Sequence, residues 1–213
     1  MKDPIIVTGI PRSGTSMIAG ILQLCGAWTG DVNNMFENKE IKFSVLVPYM
    51  NSINADFRGQ KEFPNTENIS IPRNFRSKIE AIALKQGCKQ DDKWIIKSNL
   101  VSLTWPVWNY AFPNAKYVIV RRRPADIANS CMKTSYMDAY DNREDWIKMC
   151  RFYQSRFAEM VEEGLNCKVI WPHRMAYGDY GQIWELLEWT GLPWNSKVLN
   201  WVDPKFLKIR KKG

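Results

Sequence analysis

Ile5-Ile6-Val7-Thr8-Gly9-Ile10-Pro11-Arg12-Ser13-Gly14-Thr15-Ser16 is the stretch that decides the fold of this chain. Its first four residues, apolar or β-branched in an unbroken run, read as a strand buried on both faces. The apolar run at 17–24 that follows reads as a helix. Glycines at the two ends of the connecting loop let the backbone curl until its N–H groups and the helix N-terminus face one anion. A nucleotide-hydrolysing loop of this shape needs Lys directly after the second glycine, then Ser or Thr for magnesium. Here that position is Thr15, and the cation is Arg12. The plainer alternative is a turn with a Ser or Thr cap, as at many helix starts. The conjunction of strand, paired glycines, arginine and paired hydroxyls favours the anion site.

Outward from this unit, further buried strands are expected at 94–97, 117–120 and 168–171, and helices at 73–86, 142–163 and 182–190. The helix at 142–163 is the clearest. Trp146, Met149, Tyr153, Phe157, Met160 and Val161 recur at three- and four-residue spacing, with Glu144 and Asp145 in the first turn and Gly164 beyond the end. Strands alternating with helices predict an α/β fold of three layers, α/β/α, around a central parallel sheet. One domain over residues 1–213 is the economical division. Within it, 29–92 is long for a single crossover and is expected to cover the site, and 205–213 is a basic tail. The ten tryptophans are expected mainly in the core.

The formal charge is +8, from 30 Lys and Arg against 22 Asp and Glu. Five of those cations (Lys205, Lys208, Arg210, Lys211, Lys212) lie in the tail, so the body is only mildly basic and nucleic acid is not the expected partner. A single histidine, His173, and five cysteines without CxxC pairing argue against a metal site. Scattered thiols suit a reducing cytoplasm. The apolar stretch 17–28 is too short for a bilayer, and Pro11 and Arg12 interrupt any signal-peptide core begun at Ile5, so no membrane association is expected.

The expected strands end in Gly9, Lys97-Ser98, Arg121-Arg122-Arg123 and Pro172-His173. A magnesium-dependent P-loop enzyme places an Asp at such a strand end. After the third strand the chain reads Arg122-Arg123-Pro124-Ala125-Asp126-Ile127-Ala128-Asn129-Ser130. Pro124 suits a first helical turn, so Arg122 stands at a strand end with Ser130 about two turns along the helix, where both reach a second anion. A solvated basic turn is the alternative.

With these two segments in order, the chain resembles the sulfotransferases that use 3′-phosphoadenosine 5′-phosphosulfate (PAPS), a family with a P-loop NTPase-like fold. Pro11-Arg12-Ser13-Gly14-Thr15-Ser16 is similar to the family's PKSGTT or PRSGTT loop, and 122–130 to its R-x-P-x-D-x-x-x-S segment. The resemblance implies that Pro11, Arg12, Ser13, Gly14, Thr15 and Ser16 bind the 5′-phosphosulfate and that Arg122 and Ser130 bind the 3′-phosphate. Lys97, in Ile96-Lys97-Ser98-Asn99-Leu100, looks like the family's lysine near the transferred group. Arg210 and Lys211 are similar to a segment closing over the 3′-phosphate, although a frayed basic terminus fits equally.

The implied reaction is metal-independent, in-line sulfuryl transfer from PAPS to a hydroxyl or amine of a small-molecule, carbohydrate or peptide acceptor. Arg12 and Lys97 would neutralise developing charge. Cytosolic members carry His two places after the lysine, but Asn99 stands there, and an amide cannot take a proton. Other branches use a Glu beyond the first helix, so Glu37 is the preferred base, with Asp31 and His173 as alternatives. Two competing functions remain: a P-loop nucleotide or small-molecule kinase, and a non-enzymatic nucleic-acid-binding protein. Neither the acceptor nor the oligomeric state is legible.

Overall fold

A computed structural model of the protein describes residues 1–202. The expected Arg210 and Lys211 contacts lie outside the described residues. Four parallel strands, Ile5–Gly9 (β1), Ile95–Lys97 (β2), Lys116–Val120 (β3) and Cys167–Ile170 (β4), form one sheet in the order β2-β1-β3-β4. The strands therefore exist where the sequence places them, shifted by a residue at several edges. Trp94 lies just outside β2, in an isolated parallel bridge with Trp28. Trp171 falls after β4, because Pro172 follows it and has no N–H for a ladder.

Alternation along the strands separates two cores. Ile6, Ile96, Tyr117 and Ile119 join one, and Ile5, Val7, Ile95, Val118, Val120 and Ile170 the other. The second face is covered by Thr15–Leu24 (α1), and later by Gly181–Thr190 and Lys197–Trp201. The first face takes the remaining α-helices. In chain order these are Lys39–Ile41 (α2), a π-helical segment Lys42–Leu46 that runs on into Val47–Ser52 (α3), and Phe75–Lys85 (α4). Leu100–Leu103 (α5), Trp105–Ala111 (α6), Pro124–Cys131 (α7) and Arg143–Glu162 (α8) complete that layer, leaving α9 (Gly181–Thr190) and α10 (Lys197–Trp201) opposite. This is the expected three-layer arrangement.

The longest helix, α8, starts where Asn142 accepts a hydrogen bond from the Asp145 N–H at 2.9 Å. It buries Trp146, Met149, Tyr153, Phe157 and Met160. Val161, read with that stripe, is instead 56% exposed. One residue past Met160 rotates the side chain about 100° around the helix axis, out of the apolar face. Trp94, Trp108 and Trp146 are fully buried, whereas Trp184 is half exposed and stacks on Trp194 at 4.3 Å.

The excursion at 29–92 is fastened to both ends of this framework. Its Gly59 carbonyl accepts from Tyr153 Oη on α8 at 2.7 Å, and a Cβ at Gly59 would stand 2.5 Å from that oxygen. Its Phe36 packs edge-on against Trp201 of α10, with ring centroids 5.6 Å apart. Trp201 in turn donates to the Met17 carbonyl and lies over Gly20 of α1.

Candidate functional site

Parallel strands bring their C-terminal ends to one edge of the sheet, where backbone groups and short loops are free to bind ligands. At that edge Val7 is level with Lys97, and Gly9 with Val120. The first loop is tightly folded. Arg12 takes a positive φ of 71° and Gly14 one of 105°, while the Ser13 N–H donates to the Ile10 carbonyl at 3.0 Å. A Cβ at Gly9 would stand 2.6 Å from the Val120 carbonyl, so only glycine lets β1 and β3 meet there. Among the described residues no side chain caps α1. Its first N–H groups therefore face the loop with the positive end of the helix dipole.

Arg12 links the two sequence segments. Its Nε donates to Ser130 Oγ at 3.1 Å and its guanidinium to Tyr136 Oη at 2.6 Å, and Arg122 donates to the Arg12 carbonyl at 3.1 Å. The residues expected at the two phosphates thus share one cationic cluster. Burial lowers the Arg122 pKa, with Asp126 opposing and Arg12 and Arg123 adding to the effect. Its guanidinium stays charged nonetheless.

Other members of the loop play quieter parts. Ser13 is fully buried with its Oγ unpartnered, and Thr15 is buried at the start of α1. Ser16 Oγ donates to the Met35 carbonyl at 3.0 Å, which ties the loop to the segment bearing Glu37.

Glu37 and Lys97 come together, 60 residues apart in sequence. Lys97 Nζ donates to Glu37 Oε1 at 3.2 Å, and Lys42 Nζ donates to Oε2 at 2.6 Å. The lysine is almost fully buried and the carboxylate only 12% exposed. Burial pushes the Glu37 pKa up, but the Lys97 and Lys42 ammoniums override it and hold the carboxyl below its usual range. Burial lowers Lys97; Glu37 opposes this, and the Lys42 and Arg12 charges reinforce it. The backbone prepares this meeting. Asn33 Oδ1 accepts from the Met35 and Glu37 N–H groups at 2.8 and 3.1 Å, and Phe36 is held at a positive φ of 61°. Non-glycine residues in that region are strained, and such strain gathers at functional sites.

The two alternative bases lie elsewhere. Asp31 is exposed and paired with Lys39 at 2.9 Å. His173 follows β4 in the turn Pro172–Tyr177, edge-on to Trp171 at 5.8 Å. Burial and the charges of Arg123 and Arg174 lower its pKa.

Sequence reasoning missed Lys42 and Tyr136. Lys42 follows Glu37 by five residues and begins a π-helical segment, a spacing that no regular helical rule pairs. Tyr136 sits in an irregular loop after α7. The residues present fit an anionic nucleotide: a strained loop at an uncapped helix start, with Arg12, Arg122 and Lys97 along one edge.

Comparison with known proteins agrees with this geometry. A family model described as the sulfotransferase family matches residues 4–196. The sulfotransferase domain from the curacin biosynthetic pathway superposes with a TM-score of 0.62 at 12% identity, over 98% of this chain and 87% of that one. The sulfotransferase domain of the Synechococcus PCC 7002 olefin synthase gives 0.61 at 13% identity, over 98% and 88%. The sulfotransferase STF9 of Mycobacterium avium gives 0.52 at 12% identity, over 99% and 69%. At these identities the likeness concerns the fold. No curated protein matches by sequence.

Proposed function

The chain belongs to the sulfotransferase family, and from that membership we propose that it moves the sulfuryl group of PAPS to a hydroxyl of an acceptor. One observation carries the reading: Arg12, Arg122 and Lys97 stand along a single sheet edge, and the carboxylate of Glu37 touches Lys97. When bound, PAPS supplies a sulfuryl group activated by a phosphate leaving group. The loop 11–16, Arg12 included, would cradle the 5′ end, while Arg122 and Ser130 would hold the 3′-phosphate, with Arg12 bridging to Ser130. All of this would reside in one domain.

Glu37 would receive the proton that the acceptor hydroxyl gives up as its oxygen bonds to sulfur. Lys97 would neutralise the phosphate oxygen that keeps the electron pair of the breaking sulfur–oxygen bond. Cationic groups aimed at charge that develops in the transition state are worth more in a buried site than in water. The near-complete burial of Lys97 fits that role.

Calorimetry with 3′,5′-adenosine bisphosphate tests the binding half. Heat is expected with the native chain, and Arg122→Ala should weaken binding by about tenfold or more, the scale of a lost charged hydrogen bond. No detectable heat, or affinity untouched by the substitution, refutes the nucleotide assignment. For the chemistry, ³⁵S-labelled PAPS is incubated with and without a panel of hydroxyl acceptors. Glu37→Gln should keep nucleotide affinity while losing about 100-fold or more in turnover.

A further inference from the structure

Glu37 is gripped by two ammonium groups, and they differ in kind. Lys97 rises from the end of β2, is buried, and touches Oε1; Lys42 projects from the π-helical segment, is about a quarter exposed, and touches Oε2. A carboxylate saturated by both would be a poor base, because each cation disfavours protonation. Lys97 also has a second task in the proposed reaction, at the donor. Its attraction to an arriving phosphosulfate would draw it from Oε1 and leave that oxygen open to the acceptor. Only Lys42 then keeps the carboxylate ionised and in place. The charged groups facing this pair come from three elements: Lys97 from β2, Lys42 from the π-helical segment, and Arg12 from the loop after β1, whose charge acts on Lys97.

We propose that Lys42 is a positioning residue for the sulfuryl transfer: it anchors Glu37 through Oε2, so that Oε1 is the atom that takes the acceptor proton once Lys97 has turned to the donor. The proposal rests on the reading of Glu37 as the base. In the step itself the acceptor oxygen bonds to sulfur, the bond from sulfur to the 5′-phosphate oxygen breaks with its pair on that phosphate, and the proton passes to Oε1. Lys42 changes no bond. Glu37 lies just before Asn38, the N-cap of α2, and the Lys42 N–H donates to the Asn38 carbonyl at 2.9 Å, so one helical turn brings Lys42 back beside the residue that precedes the cap.

The test is a carboxyl ¹³C NMR titration of the full chain labelled at glutamate, with the Glu37 signal assigned by its loss in Glu37→Gln. It is run with and without saturating 3′,5′-adenosine bisphosphate. In the native chain Glu37 should titrate below the ordinary glutamate value in both states. In Lys42→Met its titration should rise by about one unit or more, and rise further with the nucleotide bound. Lys42→Arg should restore the low value. The acid limb of kcat/KM for PAPS turnover should move up with it in Lys42→Met. A Glu37 titration in Lys42→Met that matches the native one, with nucleotide present, overturns the anchor. A different outcome isolates the parent reading: if Glu37→Gln turns PAPS over at the native rate while Lys42→Met still shifts the titration, Glu37 is not the base and the pairing with Lys42 is structural.

Discussion

In the proposed reaction Glu37 and Lys97 each act in the charged form, so the pH dependence would have two limbs with defined signs. Glu37 must be ionised to accept a proton, and its lowered pKa extends activity to lower pH, lost only as pH falls through that value. Lys97 must be protonated, and its lowered pKa brings the alkaline loss to a lower pH than an ordinary lysine would. A pH series of PAPS turnover should therefore show both limbs displaced downward. Lys97→Arg should move the alkaline limb up, because guanidinium does not deprotonate in the accessible range; an unmoved limb would assign it to another group. Gly14 supplies a second test. Its φ is 105°, and a Cβ there would stand 3.1 Å from the Pro172 ring. Gly14→Ala should therefore weaken 3′,5′-adenosine bisphosphate binding by about tenfold or more, measured by calorimetry. Arg12, Lys97, Arg122 and Ser130 were legible as candidates because each sits at a strand end or in a motif of fixed spacing, whereas Glu37 came only from the family resemblance. Lys42 was not, since its partner Glu37 lies in the irregular segment before the N-cap Asn38, where no helical spacing rule applies.

Elements were legible wherever one period ruled. The four strands are short apolar runs, and α8 carries a sustained helical stripe, so their existence followed from pattern and only their edges moved. Its capping residue should be worth about 1 kcal/mol: Asn142→Ala is expected to lower stability by that amount in urea unfolding. The excursion was opaque for the opposite reason. Its α2, π-helical and α3 pieces are three to six residues long, too short for any period to declare itself, and they are held by tertiary contacts such as Tyr49 of α3 edge-on to Phe75 of α4 at 5.7 Å. The α10 docking shows the same dependence on distant partners. A Cβ at Gly20 would lie 2.4 Å from the Trp201 ring, so Gly20→Ala should lift that ring, lower stability by about 1–3 kcal/mol, and change tryptophan fluorescence. An unchanged spectrum and melting temperature would show that α10 adjusts without cost.

Across the whole molecule, the charge surplus resolves into place rather than amount. A chain of net +8 invites a polyanion, yet the cations with structural roles at the sheet edge number a handful. The strand order has a metric consequence. Lys97 lies at the end of β2, the loop of Arg12 follows β1, and Arg122 follows β3, so the three stations succeed one another across the sheet at the spacing of hydrogen-bonded strands, about 4.8 Å each. From first to last they span roughly 10 Å. The edge is thus a ruler. On the proposed reading it would measure the separation between the two anionic ends of PAPS and set its direction, sulfuryl toward β2 and 3′-phosphate toward β3. Adenosine 5′-phosphosulfate, which lacks the far mark, should bind at least about tenfold more weakly than PAPS in a competition assay, and Arg122→Ala should erase most of that difference. Equal affinities for the two donors would show that the molecule does not read length at all. In the proposed reaction an acceptor would then meet the sulfuryl group at the β2 end, where Glu37 and Lys42 stand beside Lys97.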